Sequence, residues 1–141
     1  MADIFSKGKR SEIMSLVKSK NTKPEVQLRK ALHALGFRFS LHNKNLPGSP
    51  DIKLTRFKTV IFVNGCFWHG HEGCSHYTVP QNNNEYWVSK IKGNILRDKR
   101  NREALISLGW NIITAWTCNL TKRNIESTVE DIRYRLINSL T

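Results

Sequence analysis

Residues 58–74, KTVIFVNGCFWHGHEGC, constrain the fold more than any other stretch of the 141-residue chain. The run Lys58 to Val63 is apolar and rich in β-branched residues, which predicts a central strand buried on both faces. The strand ends at Asn64-Gly65, and the residues after it are ill suited to a free loop. Cys66, Cys74 and three histidines (His69, His71, His76) crowd around an adjacent Phe67-Trp68 pair. Exposed aromatics are costly and free thiols are reactive, so something must hold this segment rigid. A third cysteine, Cys118, lies far along the sequence. An odd count in a reducing compartment argues against a disulfide framework. Three thiolates and one imidazole make a tetrahedral zinc site, closed and therefore structural. The chemistry leaves open which histidine completes it. The competing reading is three unliganded cysteines packed as small hydrophobes.

The remaining sequence reads as one domain. Residues 1–21 form a basic N-terminal arm with a short helix, and residues 22–141 form the folded domain. Thr22-Lys23-Pro24-Glu25 is a capping box with proline in the first turn. A helix should follow to about Leu35, with Leu28, Leu32 and Leu35 as its apolar stripe. Glu25 falls on the core-facing side of the first turn. It either caps the helix or aims a carboxylate into a site. Phe37 to Leu41 reads as a strand. Leu46-Pro47-Gly48-Ser49-Pro50 is a turn-rich loop leading into a strand from Asp51 to Leu54, with a hairpin-like turn at Arg56-Phe57. From Glu85 to about Ser107 the period is helical, with Trp87, Ile91 and Ile95 on one stripe and Asp98 continuing it. An acid on that stripe needs a partner and can orient a catalytic group. Trp110 to Trp116 reads as a strand that delivers Cys118. Residues 124–140 make an amphipathic helix through Ile125, Val129, Ile132, Leu136 and Leu140. A single α/β domain accommodates this order.

Lys plus Arg number 23 against 11 Asp plus Glu, a formal charge of +12. Nucleic acid explains that excess best; an anionic membrane surface or plain solubility are the competing explanations. No apolar run is long enough to span a bilayer. Asp3 and the charges at 7–12 interrupt any signal-peptide core, so the reading is intracellular. Two adjacent aromatics on a clamped loop of a basic protein suggest a wedge between bases, or a cap on the core. Asp51 follows Ser-Pro at the start of a strand and is suited to hold a divalent cation for phosphodiester cleavage. The neighbouring strand ends at Val63-Asn64-Gly65 and offers no acidic partner. His69 can act as general base, or be a zinc ligand or a solvated loop residue.

These residues resemble the very short patch repair (Vsr) DNA mismatch endonuclease family. The likeness rests on Arg10-Ser11 with Met14, Thr22-x-x-Glu25, Leu46-Pro-Gly-x-Pro-Asp51, Val60-Ile-Phe62, Gly65-Cys-Phe-Trp-His69, His71, Val79-Pro80, Trp87-x3-Ile91, Asn94, Arg97-Asp98, Leu108-Gly-Trp110 and Trp116-x-Cys118. It implies a restriction-endonuclease-like, PD-(D/E)XK-like core: a central mixed sheet flanked by helices, with a structural zinc site. It implies Mg2+-dependent nicking of one strand 5′ of the thymine in a T:G mismatch left by deamination of 5-methylcytosine. By matching position, Asp51 would be the principal Mg2+ ligand, helped by the backbone carbonyl of Val63. His69 would assist the attacking water, Asp98 would orient His69, and Glu25 would contact the metal-bound water shell. Phe67 and Trp68, with Met14 from the arm, would intercalate beside the mismatch. Cys66, His71, Cys74 and Cys118 would hold Zn2+. The implied setting is a cytoplasmic bacterial monomer acting at the nucleoid. Double-stranded DNA would be its partner, with a functional link to a cytosine-C5 methyltransferase and possible contact with mismatch-repair proteins. Asn64 stands where some members carry a second histidine, and the zinc loop is one residue longer. The rival readings are a restriction-type nuclease that cuts both strands, and a non-catalytic zinc-containing mismatch-binding module.

Overall fold

The apolar run becomes the strand around which the other elements are arranged. In the computed structural model, which describes residues 21–75 and 77–140, the order is α1 (Lys23–Ala34), β1 (Ser40–Leu41), β2 (Ile52–Leu54), β3 (Thr59–Asn64), α2 (Asn84–Ser107), β4 (Asn111–Trp116) and α3 (Ile125–Asn138). The predicted arm helix, Met14 and His76 lie outside the described residues. The strands form one sheet in the order β1-β2-β3-β4. β1, β2 and β3 pair antiparallel, whereas β4 runs parallel to β3 in register from Thr59↔Asn111 to Asn64↔Trp116. A parallel pair cannot be joined by a tight turn, and α2 supplies the crossover. The chain is thus a single α/β domain with a mixed four-stranded sheet.

Both faces of β3 are covered. Ile61 faces the main core with Leu28 and Leu32 of α1, Ile113 and Ala115 of β4, and Val129, Ile132 and Leu136 of α3. Val60, on the opposite face, is also fully buried. There Asn101 of α2 approaches Phe62, for a Cβ placed on Gly48 would lie 3.1 Å from each. The run from 59 to 63 therefore has no polar alternation, as a doubly covered strand requires.

Several local readings need correction. The strand expected over Phe37–Leu41 is only the exposed pair Ser40–Leu41, because β1 lies at the sheet edge and meets just two residues of β2. Phe37 instead turns into the core, edge-on to Phe57 at 5.4 Å. Leu35 and Leu140 leave their stripes, at 47% and 54% exposed, since each follows the last turn of its helix. Ile95 is 40% exposed because α2 borders an open cleft there, and only Trp87, Ile91 and Leu105 of the helix's apolar residues are buried. Thr22 makes no side-chain cap; Glu25 accepts from the N–H of Asn21 instead, one residue upstream of the expected partner. Among the described residues no helix is long and apolar enough to cross a membrane.

The core assignment is tested by paired truncations. Leu32→Ala should lower unfolding free energy by about 2–5 kcal/mol in urea titrations, and Leu35→Ala should stay within about 0.5 kcal/mol of the parent.

Candidate functional site

The sheet ends carry the chemistry. β3 and β4 are parallel neighbours, so the turns that follow them, holding residues 65–74 and 117–119, leave the same edge. β2 runs the other way and therefore begins beside that edge, which brings Asp51 to it. A cleft of about 810 Å3 opens there, bordered by His42, Asp51, Val63, Asn64, His69 and Asp98 among others.

Asp51 Oδ2 accepts the backbone N–H of Val63 at 2.7 Å. Burial is the main cause that pushes its carboxyl from 3.8 up to about 6. The Val63 bond opposes the rise, nearby Glu25 adds to it, and His42 and His69 pull it back down. Glu25, 1% exposed in the first turn of α1, sits behind Asp51. It accepts from Arg29 Nη1 at 2.9 Å, one helical turn on, and its Oε2 also meets His42 Nε2 at 2.8 Å. One donor atom each from Glu25, His42 and Asp51 lie within 4.8 Å of one another, so this group can hold a cation.

Across the cleft, His69 Nδ1 lies 2.7 Å from Asp98 Oδ2, each side chain about 30% exposed. Asp98 projects from α2 at the position its stripe predicts, but the stripe is half open here and the carboxylate is not buried. With Nδ1 held by Asp98, His69 Nε2 is the nitrogen left for chemistry. Four residues earlier on α2, Asn94 donates to the carbonyl of Trp68 at 2.8 Å, so one helix fixes the loop at two successive turns.

Cys66, His71, Cys74 and Cys118 bring their ligand atoms within 4.8 Å of one another, and they are a set that can hold a metal ion. Cys118 Sγ stands 3.5 Å from His71 Nδ1, and the His71 ring stacks on Trp116 at 4.1 Å. Burial raises the Cys118 thiol to about 12, and its sulfur neighbours add to the rise. At Cys66 burial also opposes the thiolate, but hydrogen bonds from Thr117, Cys118 and Cys74 draw the thiol below its ordinary range. Three sulfurs this close cannot all carry charge unless a cation offsets them. Phe67 and Trp68 flank this cluster. Each is half-buried against Trp87, with ring centroids at 5.5 and 5.7 Å, so they stand on a packed aromatic base.

Two contributors escape the sequence reading. Arg29 is four residues after Glu25, and helix pair spacing could have found it. His42 carries no motif and reaches the group from a left-handed backbone, at φ 50°.

The chain matches the family model "DNA mismatch endonuclease Vsr" over residues 2–75. It is 46% identical over 121 residues to the type II nicking enzyme V.XorIIP of Xanthomonas oryzae pv. oryzae, covering 86% of this chain and 88% of that one. It is 43% identical over 125 residues to the type II nicking enzyme V.NmeAIP of Neisseria meningitidis serogroup A, covering 89% of each. It is also 37% identical over 123 residues to the DNA mismatch endonuclease Vsr of Escherichia coli, covering 87% of this chain and 78% of that one.

The buried carboxyl yields a pH prediction. Asp51 binds its proton more tightly in the fold than in the unfolded chain, so its contribution to stability is full below pH 3.8 and is lost as pH rises through about 6. In metal-free protein, Asp51→Asn should therefore gain on the parent by roughly 1–3 kcal/mol between pH 4 and 7 in paired denaturation curves. Parallel curves across that window would place Asp51 in water.

Proposed function

The chain belongs to the Vsr family of DNA mismatch endonucleases, which makes it a nicking nuclease, and we propose that it cuts one DNA strand 5′ of the thymine in a T:G mismatch. The observation that carries this reading is the meeting of Asp51, the Val63 edge of β3 and the His69–Asp98 pair in one cleft. A carboxylate, a strand-edge backbone and a carboxylate-held imidazole are the parts that hydrolysis of a phosphodiester by activated water needs.

The donor set suits magnesium. Asp51 spends one oxygen on Val63 and keeps the other. In a strand the N–H and C=O of one residue point to the same edge, so the Val63 carbonyl faces the Asp51 side. Glu25 adds a second carboxylate within 4.8 Å, and would contact the metal-bound water shell. Mg2+, when bound, supplies charge neutralisation at the phosphate and lowers the proton affinity of water. His69 takes the water proton at Nε2 while Asp98 holds the ring from Nδ1, and the products carry a 3′-hydroxyl and a 5′-phosphate. The reading keeps a PD-(D/E)XK-like core in which only the Pro50-Asp51 half of that pattern is present. The soft set Cys66, His71, Cys74 and Cys118 suits structural Zn2+.

Binding follows from the charge. Lys90, Lys92, Arg97, Lys99, Arg100 and Arg102 are exposed along α2, with Lys44 and Arg102 at the cleft itself. They would contact phosphates without reading sequence. Phe67 and Trp68, with Met14 from the 1–21 arm, would enter the stack beside the mismatch, where a wobble pair opens more cheaply than its neighbours. Residues 22–141 would act as a monomeric endonuclease domain in a bacterial cytoplasm. Its T:G lesions would be those left behind by a cytosine-C5 methyltransferase, with mismatch-repair proteins as further contacts.

The test is a Mg2+-dependent assay on end-labelled duplexes with T:G mismatches in varied contexts and fully paired controls. One nick 5′ of the mismatched T is expected. Asp51→Asn should slow it by roughly 10^3-fold or more, about 4 kcal/mol of barrier, with DNA binding retained. Cutting both strands of paired duplex would mean a restriction-type enzyme, and binding without cleavage in every context a mismatch-binding module. At sub-saturating Mg2+ the rate should fall about tenfold per pH unit below 6, as protons compete for Asp51. A rate flat to pH 5 would take Asp51 out of the cation site. Elemental analysis should find one zinc per chain, and folded protein without it would refute the zinc assignment.

A further inference from the structure

His42 has no role in the cleavage proposed above, yet three observations place it beside the catalytic carboxylates. Its ring borders the cleft, whereas Glu25, fully enclosed, does not. Its Nε2 lies 2.8 Å from Glu25 Oε2, and its donor nitrogen falls within 4.8 Å of the chosen oxygens of both Glu25 and Asp51. Its backbone is left-handed, at φ 50°.

The backbone explains how the ring gets there. The N–H of His42 donates to the Asp51 carbonyl at 3.0 Å, and that of Asn43 donates to the Pro50 carbonyl at 3.1 Å. Consecutive residues of a regular strand point to opposite edges, so two successive donations to one neighbour break the alternation. The positive φ makes that break just past β1 and re-aims the side chain toward the cluster. A non-glycine residue held in this region needs surroundings that enforce it, and here both the backbone bonds and Glu25 do so.

Resting on the nuclease reading of the cleft, we propose that His42 supplies a nitrogen donor to the catalytic cation site. The site then offers two carboxylates and one imidazole instead of oxygens alone. Mg2+ is hard and keeps to oxygens and water, whereas a ring nitrogen binds a first-row transition ion more strongly. The cluster accordingly favours Mn2+ over Mg2+, and Arg29 steadies it by holding Glu25 Oε2 from the side of α1.

The test compares cation affinities of zinc-loaded protein by calorimetry, with Mg2+ and Mn2+ as probes. The variants are His42→Asn and His42→Gln. Both exchange the ring nitrogen for an amide oxygen, and Asn also tolerates the left-handed backbone. The parent should bind Mn2+ on the order of tenfold more tightly than Mg2+, and both variants should bring the two ions within about threefold. Loss of a merely structural contact would weaken both ions together and leave their ratio unchanged. An unchanged ratio in a variant that keeps the parent's circular dichroism overturns the assignment of His42 alone. A parent that binds neither ion, and matches Asp51→Asn in doing so, overturns the cation reading of the cleft as well.

Discussion

The convergence of Cys66, His71, Cys74 and Cys118 ties the turn after β3 to the turn after β4, and the site depends on that tie. His69 sits between two of the four in sequence, so the cluster helps to set its position alongside the Asp98 contact. The turn is closed further by its own backbone: His69 N–H reaches Gly65 O at 3.1 Å and His71 N–H reaches Cys66 O at 2.8 Å. Gly70 completes it at φ 59°, and a Cβ there would lie 2.6 Å from Ile95 Cδ1. The chain must turn tightly and pass close to α2 at one point, which a residue with a side chain does poorly.

Charge in the cleft works against the fold that positions it. Asp51 is held where its carboxylate is short of water and close to a second carboxylate, and one backbone N–H does not offset that burial. Glu25 has more partners, with Arg29 and the Asn21 N–H donating to it and His42 Nε2 at 2.8 Å. The asymmetry is informative. The enclosed carboxylate is braced by several partners, and the one bordering the cleft has a single backbone N–H. A group with unspent lone pairs in a half-closed site suits a cation better than it suits stability.

Legibility in the sequence follows how local each determinant is. β3 and β4 are readable because a doubly buried strand leaves a continuous apolar run. α2 and the family likeness are readable for similar reasons, through period and unbroken motif. Asp51, His69 and the three cysteines can be picked out by residue type, His71 only through the family likeness, and the fold brings them together as two groups. β1 is not readable, since Phe37 to Leu41 looks apolar enough for a strand while the partner strand offers only two residues. Leu35 and Leu140 have the right period but lie past the last turns of their helices, and Ile95 has it but borders the open cleft. His42 is invisible for a different reason: its place depends on a backbone sign that no pattern of side chains announces.

Trp87, Asn94 and Asp98 share one face of α2, spaced 7 and 4 residues apart. Trp87 carries the Phe67–Trp68 pair, Asn94 grips the Trp68 carbonyl, and Asp98 grips His69. Eleven residues of helix span about 16 Å, and a helix that length is stiff along its axis. It braces the loop along its length, through the aromatic pair at Trp87, the Trp68 carbonyl at Asn94 and the imidazole at Asp98. Phe67, Trp68 and His69 are thus held on one stiff support, and displacing the aromatic pair would carry the imidazole with it.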